Sequence, residues 1–136
     1  MSDCIFCKLA NGEIPTDMVA ENELAAALRY ASPQAPVHVL VVPKKHYANI
    51  VDGVPAETLK AMTDLVAEVA RKTGVDETGF RCIMNTGEAA GQTVMHYHLH
   101  VIPRYKGVGG VTLWEKTEVS AEQMQEAAGQ LAEKLK

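Results

Sequence analysis

The sequence predicts an α+β fold: a mostly antiparallel sheet with two main helices, in one domain spanning residues 1–136. Short β-branched runs recur between turn signals, and two amphipathic stretches with helical periodicity lie in the middle and at the end of the chain. Strands grouped around a few helices are typical of α+β domains. The length fits one domain, and no repeat, low-complexity tract or linker interrupts it.

The first half of the chain predicts three strands after a short N-terminal segment. That segment contains a Cys-x-x-Cys pair and a turn signal at Asn11-Gly12, and Pro15 prevents a helix from continuing. A hairpin is expected next, then a proline-rich loop at 32–36, then a β-branched strand closed by Pro43. The predicted strands cover residues 18–20, 24–30 and 37–42.

The second half predicts two helices and two strands. Apolar residues recur at three- and four-residue spacing over 55–72, which indicates an amphipathic helix ending near Gly74. Strands are expected at 80–85 and 93–102, separated by a loop at 86–91. A final helix is expected at about 120–136, with Ser120 and Gln123 forming a capping box.

Composition limits the kinds of binding partner and the cellular compartment that are expected for this chain. The formal net charge is −4 and no stretch concentrates Lys or Arg, which argues against a nucleic acid polymer or an anionic membrane but allows a single nucleotide. No apolar run is long enough to span a bilayer and no secretion signal is visible, so a cytoplasmic location is expected. Three cysteines in a reducing compartment are better explained as metal ligands or core residues than as disulfides.

Three of the five histidines fall within five residues, as His96, His98 and His100. Side chains alternate faces along a strand, so these three are expected on one face, roughly 6–7 Å apart. Three readings are open: a solvent-exposed face, a set of metal ligands, or imidazoles that act directly on an anionic substrate.

The preceding residues favour the last reading. Gly91-Gln92-Thr93 leads into the histidine run and Asn85 ends the previous strand. A glycine lets the backbone approach a phosphate closely, and a hydroxyl with exposed amides can hold its oxygens. Gly-x-Thr is a weak signal alone and becomes specific beside the histidines.

The segment from Asn85 to Ile102 resembles the signature of the histidine-triad (HIT) nucleotide-binding family. The loop at 32–36, with His38 and the segment 43–46, matches the same family's earlier strand and loops. The likeness extends from about Cys4 to Tyr105 and is closest to the phosphoramidase-like branch.

The resemblance implies catalysis within the histidine run. His98 would be the nucleophile, forming a covalent nucleotidyl-histidine that water hydrolyses, with His96 and His100 completing the catalytic set. The implied substrate is a nucleoside monophosphate ester or phosphoramidate of the AMP type. A non-catalytic nucleotide sensor and a dinucleoside polyphosphate hydrolase are the alternatives; a hydrolase with the triad as metal ligands is a third. The implied nucleotide-binding residues are Asn85, Gly91, Gln92, Thr93, His98, His100 and His38.

The resemblance also bears on three further features. Relatives with the N-terminal pair hold structural zinc with two cysteines and two histidines, here Cys4, Cys7, His46 and His96; an unliganded or a redox pair is the alternative.

Relatives are homodimers, so Trp114 could shape the neighbouring subunit's site or be a core or interface residue. Where relatives carry an acid that grips the ribose hydroxyls, this chain has Tyr30, which cannot accept from both. Cys82 is expected in the core.

Overall fold

The computed structural model describes residues 4–31, 33, 38–105 and 118–136. Trp114, Val37 and most of the loop at 32–36 lie outside the described residues. Within these ranges the elements are, in order, α1 (Ile5–Ala10), β1 (Met18–Glu21), β2 (Ala25–Arg29), β3 (Val39–Pro43), α2 (Ala56–Thr73), α3 (Val75–Thr78), β4 (Phe80–Ile83), a 3₁₀ turn (Glu88–Ala90), β5 (Leu99–Pro103) and α4 (Ala121–Lys134).

The strands form one antiparallel sheet in the order β1-β2-β3-β5-β4, which confirms the predicted fold class. The predicted hairpin is present as β1 and β2. The central helix begins after Pro55 and ends at Gly74, whose φ of 79° gives the left-handed conformation that commonly terminates a helix. No helix in the described part of the chain combines the length and the apolar character that crossing a membrane requires.

Both faces of the sheet are covered at its centre. On one face, α2 contributes Met62, Leu65 and Val69 to a core with alternate residues of β2, β3 and β5. On the other, Phe6, Leu9 and Ala10 of α1 pack against the remaining residues of β2 and β3. Burial on both faces explains why the alanine-rich β2, with alanine at positions 25, 26 and 27, is an interior strand despite the low β propensity of alanine.

The strand that carries the histidines is shorter than predicted: it begins at Leu99, and residues 93–98 are irregular. β3 pairs with β5 from Val39↔Val101 to Val41↔Leu99. The ladder ends beside Pro43, which has no N–H to donate. Tyr97 instead donates its N–H to the Tyr47 carbonyl at 2.6 Å.

Two other expectations differ from the structure. The N-terminal segment, for which no helix was predicted, forms α1, with Cys4 as its N-cap residue. The core position expected for Cys82 is wrong, since this residue is exposed. It lies on the edge strand β4, and α2 packs over β1, β2 and β3 at the other end of the sheet.

The C-terminal helix α4 begins as predicted, with the reciprocal hydrogen bonds between Ser120 and Gln123 that define a capping box. None of its residues is buried within the chain. Met124, Leu131 and Leu135 are all more than half exposed.

Candidate functional site

A cavity of about 490 Å³ lies on the α1 side of the sheet. His98, which directly precedes β5, lies on this face with His100 and Ile102, and the register places His38, next to β3, and Ile83 of β4 beside them. The volume is in the range of small-molecule sites. Its lining residues are Phe6, Tyr30, His38, Ile83, Asn85, Gly91, Thr93, Val94, His98, His100 and Ile102.

The structure therefore brings together most of the residues predicted to bind a nucleotide. Their alternation holds for His98 and His100, whose ring centroids are 5.1 Å apart. His96 does not line the cavity: residues 93–98 are irregular, and its Nδ1 lies 3.3 Å from Cys4 Sγ and from Cys7 Sγ. The predicted strand alternation therefore does not extend to His96.

A hydrogen bond to one ring nitrogen holds the His98 side chain in one orientation. It is 7% exposed, and its Nδ1 lies 2.6 Å from the His96 carbonyl oxygen. A carbonyl only accepts, so Nδ1 carries the proton and Nε2 keeps its lone pair. Burial lowers the pKa of His98, and the hydrogen bond to the His96 carbonyl opposes this shift. The ring is therefore neutral near pH 7, in the form suited to nucleophilic attack.

His100 and His38 form a hydrogen-bonded pair, with His38 Nε2 3.0 Å from His100 Nδ1. Burial, together with the nearby His98 and His38, lowers the pKa of His100 to about 4. Burial also lowers the pKa of His38. Both rings are therefore neutral near pH 7. When His38 donates, the His100 proton is at Nε2 and can be donated to a ligand oxygen.

The loop before the histidines depends on Gly91 and Gln92 in different ways. Gly91 has a φ of 97°, a conformation that favours glycine, and it lines the cavity. Gln92 is not among the residues that line the cavity, and its role in nucleotide binding stays a prediction. Its buried amide accepts from the Gly87 N–H and donates to the Ala48 and Val94 carbonyls at 2.8–3.0 Å. Gln92 therefore holds the shape of the loop.

A second cluster lies next to the cavity. Cys4, Cys7, His46 and His96 each offer one ligand atom, and these atoms lie within 4.8 Å of one another. Cys7 Sγ is 3.3 Å from His96 Nδ1 and 3.4 Å from His46 Nδ1, and Cys4 Sγ is 3.3 Å from His96 Nδ1. Sulfur and nitrogen ligands of a tetrahedral zinc ion are separated by roughly 3.5 Å, given the usual bond lengths. The four residues are thus positioned to bind a metal ion.

The protonation states of His96 and Cys7 are also compatible with metal binding. His96 Nε2 lies 2.8 Å from the Pro43 carbonyl oxygen, so Nε2 carries the proton and Nδ1 presents its lone pair to the two sulfurs. Burial lowers the pKa of His96. Without a metal, burial and the neighbouring Cys4 raise the pKa of Cys7 to about 11, so binding a cation there would release a proton.

The ring of Phe6 contacts both the cavity and the metal cluster, and this residue was not identified from the sequence. It lies between the two cysteines, and its ring is 6.0 Å from the His96 ring and 5.1 Å from the His98 ring, both edge-on. A helix of six residues is too short for hydrophobic periodicity to reveal which side chain faces the cavity. The close Cys-x-x-Cys spacing was the available signal, since both thiols can reach one point only if the chain turns between them.

Comparison with known proteins gives consistent matches. The sequence matches the HIT domain family over residues 11–107. It is 46% identical over 112 residues to an uncharacterized HIT-like protein of Methanocaldococcus jannaschii, covering 79% of this chain and 84% of the relative.

Solved structures with the same fold include two proteins whose names indicate a role. A HIT family hydrolase from Legionella pneumophila Philadelphia 1 aligns with a TM-score of 0.70 and 40% identity, over 74% of this chain and 91% of that chain. A histidine triad nucleotide-binding protein from Candida albicans aligns with a TM-score of 0.83 and 28% identity, over 98% and 97%.

Proposed function

The chain belongs to the HIT family, and from that premise we propose that it hydrolyses or transfers a nucleoside monophosphate unit through a covalent intermediate on His98. The observation that carries this proposal is the state of His98: buried, neutral and anchored through Nδ1, in a cavity that also contains His100, Thr93 and Gly91. A neutral imidazole whose far nitrogen is fixed is an effective nucleophile.

The reaction follows in two displacements. His98 Nε2 attacks phosphorus with its lone pair while the bond from phosphorus to the leaving group breaks. For a phosphoramidate of the AMP type, our preferred substrate, the amine departs with the bonding electrons and takes up a proton from solvent. Water then attacks the phosphorus and gives up a proton to solvent, while the bond from phosphorus to Nε2 breaks and its electrons return to the imidazole. The nucleoside monophosphate is released and neutral His98 is regenerated.

The rest of the cavity would stabilise charge on the phosphoryl oxygens. The Thr93 hydroxyl, the Asn85 amide and the Nε2–H of His100 are neutral donors that line it. Gly91 allows the backbone to come close to the phosphate.

We propose that the neighbouring cluster holds zinc through Cys4, Cys7, His46 and His96. Two thiolates and two imidazoles leave no open position for substrate, so zinc there would supply structural cross-linking between α1 and the catalytic segment. This assignment argues against the alternative in which the triad histidines are the ligands of a catalytic metal, because His98 and His100 lie outside the cluster.

We further propose a cytoplasmic homodimer. Within the described residues, the edge strand β4 exposes Cys82, the adjoining Met84 is 44% exposed, and α4 buries nothing within its own chain. An edge strand and an amphipathic helix without packing partners are surfaces that a second copy can cover. Light scattering during gel filtration tests this: we expect twice the chain mass, and a monomer at micromolar concentration contradicts it.

Turnover and binding together test the enzymatic proposal. His98→Ala should abolish turnover of an AMP phosphoramidate, because the variant lacks the imidazole whose Nε2 would attack phosphorus. AMP should still bind the variant. Lys72→Ala, on the exposed face of α2, serves as the control with unchanged turnover. Turnover that survives in His98→Ala would contradict the mechanism, and AMP binding without any turnover in the native protein would favour the sensor function.

A further inference from the structure

Tyr30 is built into the wall of the cavity by the end of the β2–β3 ladder. It directly follows β2, and its N–H donates to the His38 carbonyl at 2.9 Å, which adds one pair beyond Arg29↔Val39. Residues paired in this way present their side chains on the same face. The Tyr30 ring lies 4.5 Å from the His38 ring, tilted by 47°, and meets the His100 ring edge-on at 5.3 Å.

Two aromatic rings therefore flank the reacting imidazoles. Phe6 contacts the ring of His98, and Tyr30 contacts that of His100. The polar groups of Asn85, Thr93 and the histidines can hydrogen-bond to phosphate oxygens. The base and sugar of a nucleotide would therefore contact the aromatic and aliphatic residues that line the rest of the cavity. Flat rings of this kind recognise a base by stacking and do not read sugar hydroxyls.

No acidic side chain lines the cavity among residues 4–31, 33, 38–105 and 118–136. The vicinal hydroxyls of a ribose are both donors, and one carboxylate can accept from the two together. A phenol has one hydroxyl, which can satisfy only one of them at a time and without the strength of a charged acceptor.

We infer that Tyr30 sets the sugar selectivity of this site, so that ribonucleoside and 2′-deoxyribonucleoside monophosphate units bind nearly equally. This rests on the proposed function, because it assumes that the cavity takes a nucleotide. A carboxylate at position 30 would instead hold the ribose hydroxyls and would stand against His38 and His100, favouring their protonated forms. The uncharged ring of Tyr30 does not favour protonation of His38 and His100, and it does not distinguish ribose from deoxyribose.

The test is calorimetric titration of AMP and dAMP into the native protein, Tyr30→Phe and Tyr30→Asp. We expect the two affinities to agree within about threefold in the native protein and in Tyr30→Phe, which keeps the ring and loses only a neutral hydroxyl. Tyr30→Asp should favour AMP by about tenfold or more, the typical effect of a hydrogen bond to a charged acceptor. Repulsion between the new carboxylate and phosphate weakens both ligands alike, so the ratio isolates the sugar.

Several outcomes overturn the inference. A native preference for AMP of tenfold or more would do so, as would a change in the ratio caused by Tyr30→Phe, because the phenol would then be reading the ribose. A folded Tyr30→Asp with an unchanged ratio would show that position 30 does not face the sugar. If Tyr30→Asp does not fold, the native and Tyr30→Phe ratios still decide.

The same titrations separate this inference from the proposed function. If both nucleotides bind and AMP is strongly preferred, the sugar inference fails and the proposed function stands. If neither nucleotide binds and no turnover depends on His98, the proposed function fails and this inference fails with it.

Discussion

Lowering the pH from 7 to 4 should destabilise the protein, and His100 should account for a defined part of the loss. Its pKa is about 4 in the folded chain against an ordinary value of 6.5. Between these values the unfolded chain binds a proton that the folded chain does not, so stability falls as the pH falls through this window and levels off below it. A separation of about 2.5 pH units corresponds to about 3 kcal/mol.

Urea unfolding at several pH values between 4 and 7.5 measures this contribution when the native protein is compared with His100→Gln. Glutamine does not titrate, and its amide can still hydrogen-bond to His38 Nε2. Other acid-sensitive groups, including the metal ligands, are common to both proteins and cancel in the difference. The native protein should lose about 3 kcal/mol more than the variant on going from pH 7 to pH 4. Parallel stability curves would show that His100 makes no pH-dependent contribution to stability in this range.

Three further predictions concern the surroundings of the site. His46→Ala should release one bound zinc per chain, measured with a chromogenic chelator, and should lower the melting temperature; a variant that retains the ion would contradict the ligand assignment. Gln92→Ala leaves the Gly87 N–H and two carbonyls without their partner, so it should cost about 1–3 kcal/mol and raise KM; an unchanged KM would show that the loop does not need this anchor. Met62→Ala, at a fully buried position, should cost about 2–5 kcal/mol in urea unfolding, against less than about 0.5 kcal/mol for the exposed Lys60→Ala; similar costs for the two would place Met62 outside the core.

Much of the site could be predicted from the sequence because its pattern is local. The spacing of His98 and His100 needs only the alternation of a strand, and the α2 stripe needs only helical periodicity. The four residues of the metal cluster also lie together, as the family resemblance implied. Cys4 and His96 are 92 positions apart, however, so residue spacing alone could not have joined them.

The parts that failed depend on long-range packing. The strand β5 begins only at Leu99 because its partner β3 ends at Pro43, and predicting this requires the register between β3 and β5. The side chain of Gln92 is hydrogen-bonded to backbone groups as distant as Ala48, a contact that the local sequence does not reveal. Cys82 alternates with apolar residues as a core position would, but it lies on an edge strand, and strand order is not written in the spacing of residues.

The central claim is that His98 becomes covalently bonded to the nucleotide. Single-turnover reaction with an AMP phosphoramidate, quenched and analysed by intact-mass spectrometry, tests it most directly. We expect a transient added mass of one adenylyl group in the native protein and none in His98→Ala. An adduct that persists in His98→Ala, or turnover in the native protein without any adduct even under rapid quenching, would contradict it.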